Sequence, residues 1–251
     1  MPGRIIFWAA PLLVPVLFFI VWESMATLVG NSLILPPLEE IGALLAHPLD
    51  NVIAMGTLAG NIGISLVRVL CGYAAAVLLG VPLGVAMGYY AGLHRLLNLF
   101  LGMFRPIPPL AWIPLSILWF GLGDKSKFFI IFLGCFTFIT VNTYDGAKNV
   151  DPELMGAARM LGASERQVFF RIVLPSSVPY IFAGLQIAVT AGWSAVVGAE
   201  MVRSDEGVGW MIVRGMNTGN TLQIMVGMVA IGIVGFLLAT LTSALERRLC
   251  A

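Results

Sequence analysis

Residues 145–175 read DGAKNVDPELMGAARMLGASERQVFFRIVLP, a polar stretch set between long apolar runs. Its first part carries helix-opening chemistry: Asp151 can cap, Pro152 suits the first helical position, and Glu153 faces the positive end of the helix dipole. Leu154, Ala157, Ala158 and Leu161 recur at i, i+3, i+4 and i+7, which lays one apolar stripe along a short helix. Gly162 interrupts it. Ser164 and Gln167 form an S-x-x-Q capping box that opens a second short helix, which Pro175 is expected to end. A helix, a glycine bend and another helix at a membrane surface predict a docking element, with Leu154 to Leu161 as its contact face.

The apolar runs on either side set the fold class. The chain has 251 residues, 59% hydrophobic and only 11% charged, with a mean hydropathy of +0.95. So few polar residues cannot cover a soluble domain. Continuous runs of about 20 apolar residues predict an all-α, polytopic helical membrane protein rather than a β-barrel, whose strands would alternate. The net charge of +1 argues against nucleic acid as a partner. Cys71, Cys135 and Cys250 form no C-x-x-C pair and read as small apolar residues.

Six spans are expected, at 5–29, 62–90, 99–120, 128–144, 178–201 and 222–245, in one transmembrane domain covering 1–251. The first run exceeds a signal-peptide core of about 7–15 residues and leads into Trp22, so it reads as a retained span. Residues 31–61 form a loop with a short amphipathic segment. In the second span Gly80, Gly84 and Gly88 make a flat strip that a neighbouring helix can approach, and Pro82 suggests a kink. Residues 91–98 read as a basic connector. The third span holds Pro106, Pro108, Pro109 and Pro114, which no regular helix accommodates. Irregular backbone at membrane depth must be buried in protein or line a cavity, so this segment reads either as a structural break or as the wall of a transport path. Residues 203–220 form a polar connector with an amphipathic piece at 208–216.

An even span count puts both termini, residues 91–98 and the docking element on one side. That side carries Arg4, Arg95, Lys148, Arg159, Arg166, Arg171, Arg247 and Arg248, against Lys125, Lys127, Arg203 and Arg214 opposite. The bias makes the docking side cytoplasmic. Glu23, Arg68, Arg105 and Glu200 are the ionisable residues near span ends or breaks. Arg68 and Glu200 fit a bundle ion pair as well as a transport role, whereas Arg105 stands beside the proline break and has the better claim on a ligand. Trp112 and Trp193 are candidate lining residues, with Pro108 and Glu200 beside them. Residues 119–126 lack both glycines of a phosphate-binding loop, having Trp119 and Asp124 there, and no Gly-Lys-Ser/Thr occurs in the chain. His47 and His94 fall on opposite sides, so no His-based metal site or triad assembles, and no catalytic motif appears. A permease powered by another protein suits these features; an ion-coupled secondary carrier or channel is the alternative.

The pattern Gly156-Ala157-Ala158-x3-Gly162-x9-Ile172-x-Leu174-Pro175 resembles the EAA loop of ATP-binding-cassette (ABC) importer permeases. In that family the loop is a coupling helix that docks on the ATPase. The first position here is Gly156 where the family has Glu, which leaves docking to shape and backbone. Ser65-Leu-x-Arg68, Arg105-Pro-x-Pro-x-x-Ala-Trp112-x-Pro-Leu115, Trp119-Phe-Gly-x-Gly123, Gly192-Trp193 and Ala199-Glu200 look like the nitrate, sulfonate and taurine branch, closest to the taurine or aliphatic sulfonate permeases. The resemblance implies a type I ABC importer permease fold in the bacterial inner membrane, multi-pass, without catalysis of its own. It also implies a homodimer, two cytoplasmic ATP-binding subunits that hold ATP and Mg, an extracytoplasmic substrate-binding protein, and no cofactor in this chain. The cargo it implies is a small anion, with taurine or an aliphatic sulfonate ahead of nitrate or bicarbonate. Leu154, Gly156, Ala157, Ala158, Leu161, Gly162, Ile172, Leu174 and Pro175 would couple to the ATPase; Arg105, Pro108, Trp112, Trp193 and Glu200 would line the path.

Overall fold

A computed structural model describes residues 2–50, 56–202 and 204–249, with side chains within residues 13–248. Among the described residues eleven α-helices follow in order: α1 (Pro2–Val29), α2 (Leu38–Ala46), α3 (Leu58–Tyr89), α4 (Ala91–Phe104), α5 (Ile113–Phe120), α6 (Asp124–Lys148), α7 (Pro152–Met160), α8 (Glu165–Val168), α9 (Leu174–Val202), α10 (Val208–Thr218) and α11 (Thr221–Leu249). Among the described residues four helices are long and apolar enough to cross a membrane, five if the bent pair α4 and α5 counts as one. Helix α1 covers the expected first span, and its side chains from Leu13 to Val21 are exposed. An apolar helix with so little protein against it needs lipid or a partner around it.

The core is built on α6, which lies between α3 and α9. Ile131, Cys135 and Ile139 of α6 meet Val69 and Ala76 of α3 and Ala188 and Val196 of α9 in one buried cluster. Small residues permit this. A Cβ on Gly84 would stand 2.7 Å from the Thr140 carbonyl oxygen, and one on Gly88 would stand 2.5 Å from the Ala147 Cβ. The glycine strip expected in the second span is therefore a helix-packing face, and Gly72 extends it to Ile131. Helix α3 runs through Pro82 without a break. Helix α11 closes the other side of α9, where the buried Trp193 Nε1 donates to the Ile231 carbonyl at 3.0 Å.

Three expectations change. Residues 91–98 are not a connector but the first half of α4, because α3 yields at Tyr90 and a new helix begins at once. The proline-rich segment divides the expected third span into two helices at 84°. Phe104 ends α4, Pro108 is extended, and a 3-10 turn at Pro109–Trp112 leads into α5. Pro175 does not stop the second helix of the docking element: residues Glu165–Val202 form one helical run. A π turn at Phe169–Val173 precedes the proline, with the Leu174 N–H reaching the Phe169 carbonyl. That wider turn makes room where a proline ring would otherwise press on the carbonyl four residues back.

Gly84→Ala or Gly88→Ala should push α3 off α6 and cost about 1–3 kcal/mol. Gly63→Ala, where nothing lies within 4 Å, should be neutral or slightly stabilising. Thermal unfolding of the three variants in detergent checks the contrast, and equal effects would remove the packing role of the strip.

Candidate functional site

Three sets of side chains stand apart from the apolar packing. The first is the docking element at the end of the bundle where α3 and α6 finish. The Asp151 carboxylate accepts the Glu153 N–H at 2.8 Å, and Pro152 occupies the first turn of α7. At the other end Gly162 adopts φ +85°, a conformation only glycine takes without strain. Its N–H donates to the Arg159 carbonyl, and the Ala163 N–H donates to that of Ala158, both at 3.0 Å. This closes α7 with a Schellman motif. Ser164 and Gln167 then form the expected capping box, with the Ser164 N–H donating to Gln167 Oε1 at 2.8 Å.

The apolar stripe of α7 divides between two directions. Ala158 turns inward with Met155, Ala163, Ile172 and Leu174 onto a cluster around Val85, Ala147 and Val173. Leu154, Met160 and Leu161 turn outward and are 50%, 85% and 89% exposed. Ala157 and Pro175 are exposed, and Gly156 is half-buried with room beside it. An ionic clasp missed in the sequence ties this element to α3. Arg159 Nε donates to Glu165 Oε1 at 2.8 Å, and the Tyr89 hydroxyl donates to the same carboxylate. The hydrogen bond to Glu165, ahead of charge, raises the Arg159 guanidinium above the usual arginine range. Tyr89 and Tyr90 also pack on Phe169.

The second set is a buried ionic hub. Arg68 Nε donates to Asp124 Oδ1 at 2.7 Å, Nη1 to Glu200 Oε1 at 2.9 Å and Nη2 to Glu206 Oε1 at 3.0 Å. Ser65 and the Gly209 N–H also donate to Glu200. Asn61 accepts the Gly207 N–H, and the Ser65 hydroxyl accepts that of Val208. Gly207, at φ +106°, stands so near Glu200 that a Cβ would lie 2.4 Å from its carboxyl carbon. Glu200 is thus one member of this buried network. Trp193 is likewise buried, with its ring close to Gly235 of α11. Glu23 caps α2, accepting the Leu38 N–H at 3.0 Å.

The third set lines a seam between α4 and α6 where the proline break occurs. Arg105, Pro108, Trp112 and Phe104 face a cavity of about 200 Å³ against Gly134 and Thr137. The Phe104 and Trp112 rings stack 5.5 Å apart on that wall. A second cavity of about 180 Å³ lies beside it, lined by His94, Asn98, Tyr144 and Asp145. Arg105 lines both. The structure therefore brings together Arg105, Pro108 and Trp112 of the expected path. His94 and Tyr144 had no sequence signal to join them, because stacking across α4 and α6 has no periodicity. Among the described residues no cluster of His, Cys, Asp and Glu could hold a metal ion.

Comparison with known proteins places these features in context. The family described as binding-protein-dependent transport system inner membrane component matches residues 76–249. The taurine transport system permease protein TauC of Escherichia coli is 36% identical over 91% of this chain and 84% of its own length. The nitrate import permease protein NrtB of Synechocystis is 34% identical over 90% of this chain and 84% of its own. An inward-facing structure of the MetNI methionine ABC transporter superposes with a TM-score of 0.67 at 20% identity, covering 76% of this chain and 95% of that one. The fold is that of type I ABC importer permeases.

Arg68→Ala leaves Glu200 buried without its cation and should destabilise the protein by about 3–5 kcal/mol. Arg159→Ala breaks only an exposed pair and should leave the unfolding midpoint nearly unchanged. Thermal unfolding of both in detergent checks this; similar losses would mean that burial does not distinguish the two ion pairs.

Proposed function

The chain belongs to the family of binding-protein-dependent transport system inner membrane components, as a permease subunit of an ABC importer that performs no catalysis, and on that premise we propose its cargo and its moving parts. The cargo is a small anion, with taurine or another aliphatic sulfonate favoured and nitrate or bicarbonate next. Two copies form the translocation path in a bacterial inner membrane, with both termini and α7 on the cytoplasmic side. Two separate subunits there bind ATP and Mg, and an extracytoplasmic protein delivers the substrate. No cofactor is held by this chain.

Arg105 carries the reading. It is a cation without an ion pair among the described residues, it stands where a span is broken, and it faces two adjoining cavities. An unpaired cation at membrane depth is expensive unless a ligand or water uses it, and a sulfonate offers several acceptor oxygens to a guanidinium. Pro108 and Trp112 shape the cavity on one side of it. TauC, by its name a taurine permease, supports the sulfonate; NrtB supports nitrate as the second choice.

Coupling uses the other end of the molecule. The ridge of Leu154, Ala157 and Leu161 offers an apolar surface to a groove on the ATPase, and the Gly162 turn fixes its angle to α8 and α9. Gly156, Ala158, Ile172, Leu174 and Pro175 support that ridge from behind or beside it. Closure of the ATPase pair on ATP draws the two α7 helices together. The helical run Glu165–Val202 then carries the motion into the bundle.

In the assembled transporter, Arg105→Ala should lower kcat/KM for sulfonate uptake about ten- to a hundredfold, the worth of one charge-assisted hydrogen bond. Uptake at the normal rate with unchanged KM removes Arg105 from the path. Gly162→Val forces a β-branched residue into a left-handed turn at a cost of about 1–3 kcal/mol. It should leave membrane insertion intact while ATP hydrolysis continues without matching uptake. Retained coupling, measured as transported molecules per ATP, would show that the turn does not set the angle.

A further inference from the structure

Arg105 is not the only unpaired charge on its cavity. Asp145, on α6, faces the same cavity, and among the described residues its carboxylate accepts no hydrogen bond and forms no ion pair. Lys148, one turn further along α6, acts on it only through space. Arg105 and Asp145 are both exposed to this groove, whereas the buried charges are matched. Arg68 spans three carboxylates, and Lys127 shares Asp124 at 3.5 Å.

The wall between the two charges is polar as well. The His94 ring lies flat against Tyr144, with centroids 4.6 Å apart and planes at 8°. The Tyr144 hydroxyl and His94 Nε2 are 3.3 Å apart, while Nδ1 is buried without a partner. Asn98 adds an amide. A volume of about 180 Å³ leaves room for a small solute rather than a single water.

We infer that the cavity between α4 and α6 is a site for a short zwitterion, an amino-sulfonate, whose acid group meets Arg105 and whose ammonium meets Asp145. Asn98 offers its amide to the acid group. The inference rests on the proposed role of Arg105 and adds a selectivity to it. Nitrate or a plain alkanesulfonate has no cation to offer Asp145, whose negative charge disfavours it. The permease itself thereby discriminates among anions, in addition to whatever its binding protein selects.

The test is equilibrium binding of taurine and of ethanesulfonate to the purified transporter with its ATPase subunits and without binding protein. Both probes carry the same acid group, and only taurine carries the ammonium. Wild type should bind taurine more tightly. Asp145→Asn should weaken taurine about fivefold, the scale of a partly exposed ion pair, and leave ethanesulfonate unchanged or slightly tighter. Asp145→Glu, which keeps the charge, should retain the preference, and Arg105→Gln should weaken both probes. Equal effects of Asp145→Asn on the two probes, or no saturable taurine binding to wild type, would overturn the zwitterion site. Uptake that still depends on Arg105 in that case leaves the proposed function standing.

Discussion

A single guanidinium, that of Arg68, holds the frame of this protein. It is buried and spends its donors on Asp124 at the start of α6, Glu200 near the end of α9 and Glu206 in the turn before α10. Burying an arginine in a membrane bundle costs more than a surface pair returns, unless every donor is met. Here each partner is also held in place: Ser65 and Gly209 fix the Glu200 carboxylate, and Asn61 fixes the turn at Gly207. The hub thus sets how α3, α6, α9 and α10 meet at one end, and the glycine strips let them stay close along their length.

Charged side chains on the helices fall into two sets, separated by whether they are paired. The buried paired ones belong to the block of α3, α6 and α9. Arg105 and Asp145, without an ion pair among the described residues, face the seam beside α4, a helix with no buried residue. That helix and the bend after it stand outside the block, so the broken span can form a cavity without loosening the core. At the far end the Tyr89, Arg159 and Glu165 clasp joins the docking element to α3, giving the exposed ridge of α7 two attachments to the bundle.

Local chemistry in the sequence foretold local structure. The Asp151 cap, the Gly162 bend, the Ser164 box, α2, the amphipathic α10 and the break at Pro106–Pro109 are each decided by neighbours within a few residues, and each is present. Pro175 misled because a proline reads as a stop, whereas the π turn before it absorbs the ring. Residues 91–98 misled because polar side chains at a helix start look like a loop. Residue type alone does not say where Glu200 and Trp193 sit in the bundle. What places them is contact with Arg68 and Ile231, at separations of 132 and 38 residues, and no periodicity reports such contacts. The groove was half legible: Arg105 and Trp112 stand beside the prolines, while His94, Tyr144 and Asp145 join them only through the packing of α4 on α6.

The central claim is that this permease moves its cargo on force supplied by a separate ATPase. Its most direct test is taurine uptake into proteoliposomes holding the permease, its ATPase subunits and a taurine-loaded binding protein. The account predicts uptake that needs ATP and every subunit and persists when proton and sodium gradients are collapsed. Uptake by the permease alone, driven by an ion gradient without ATP, would contradict it.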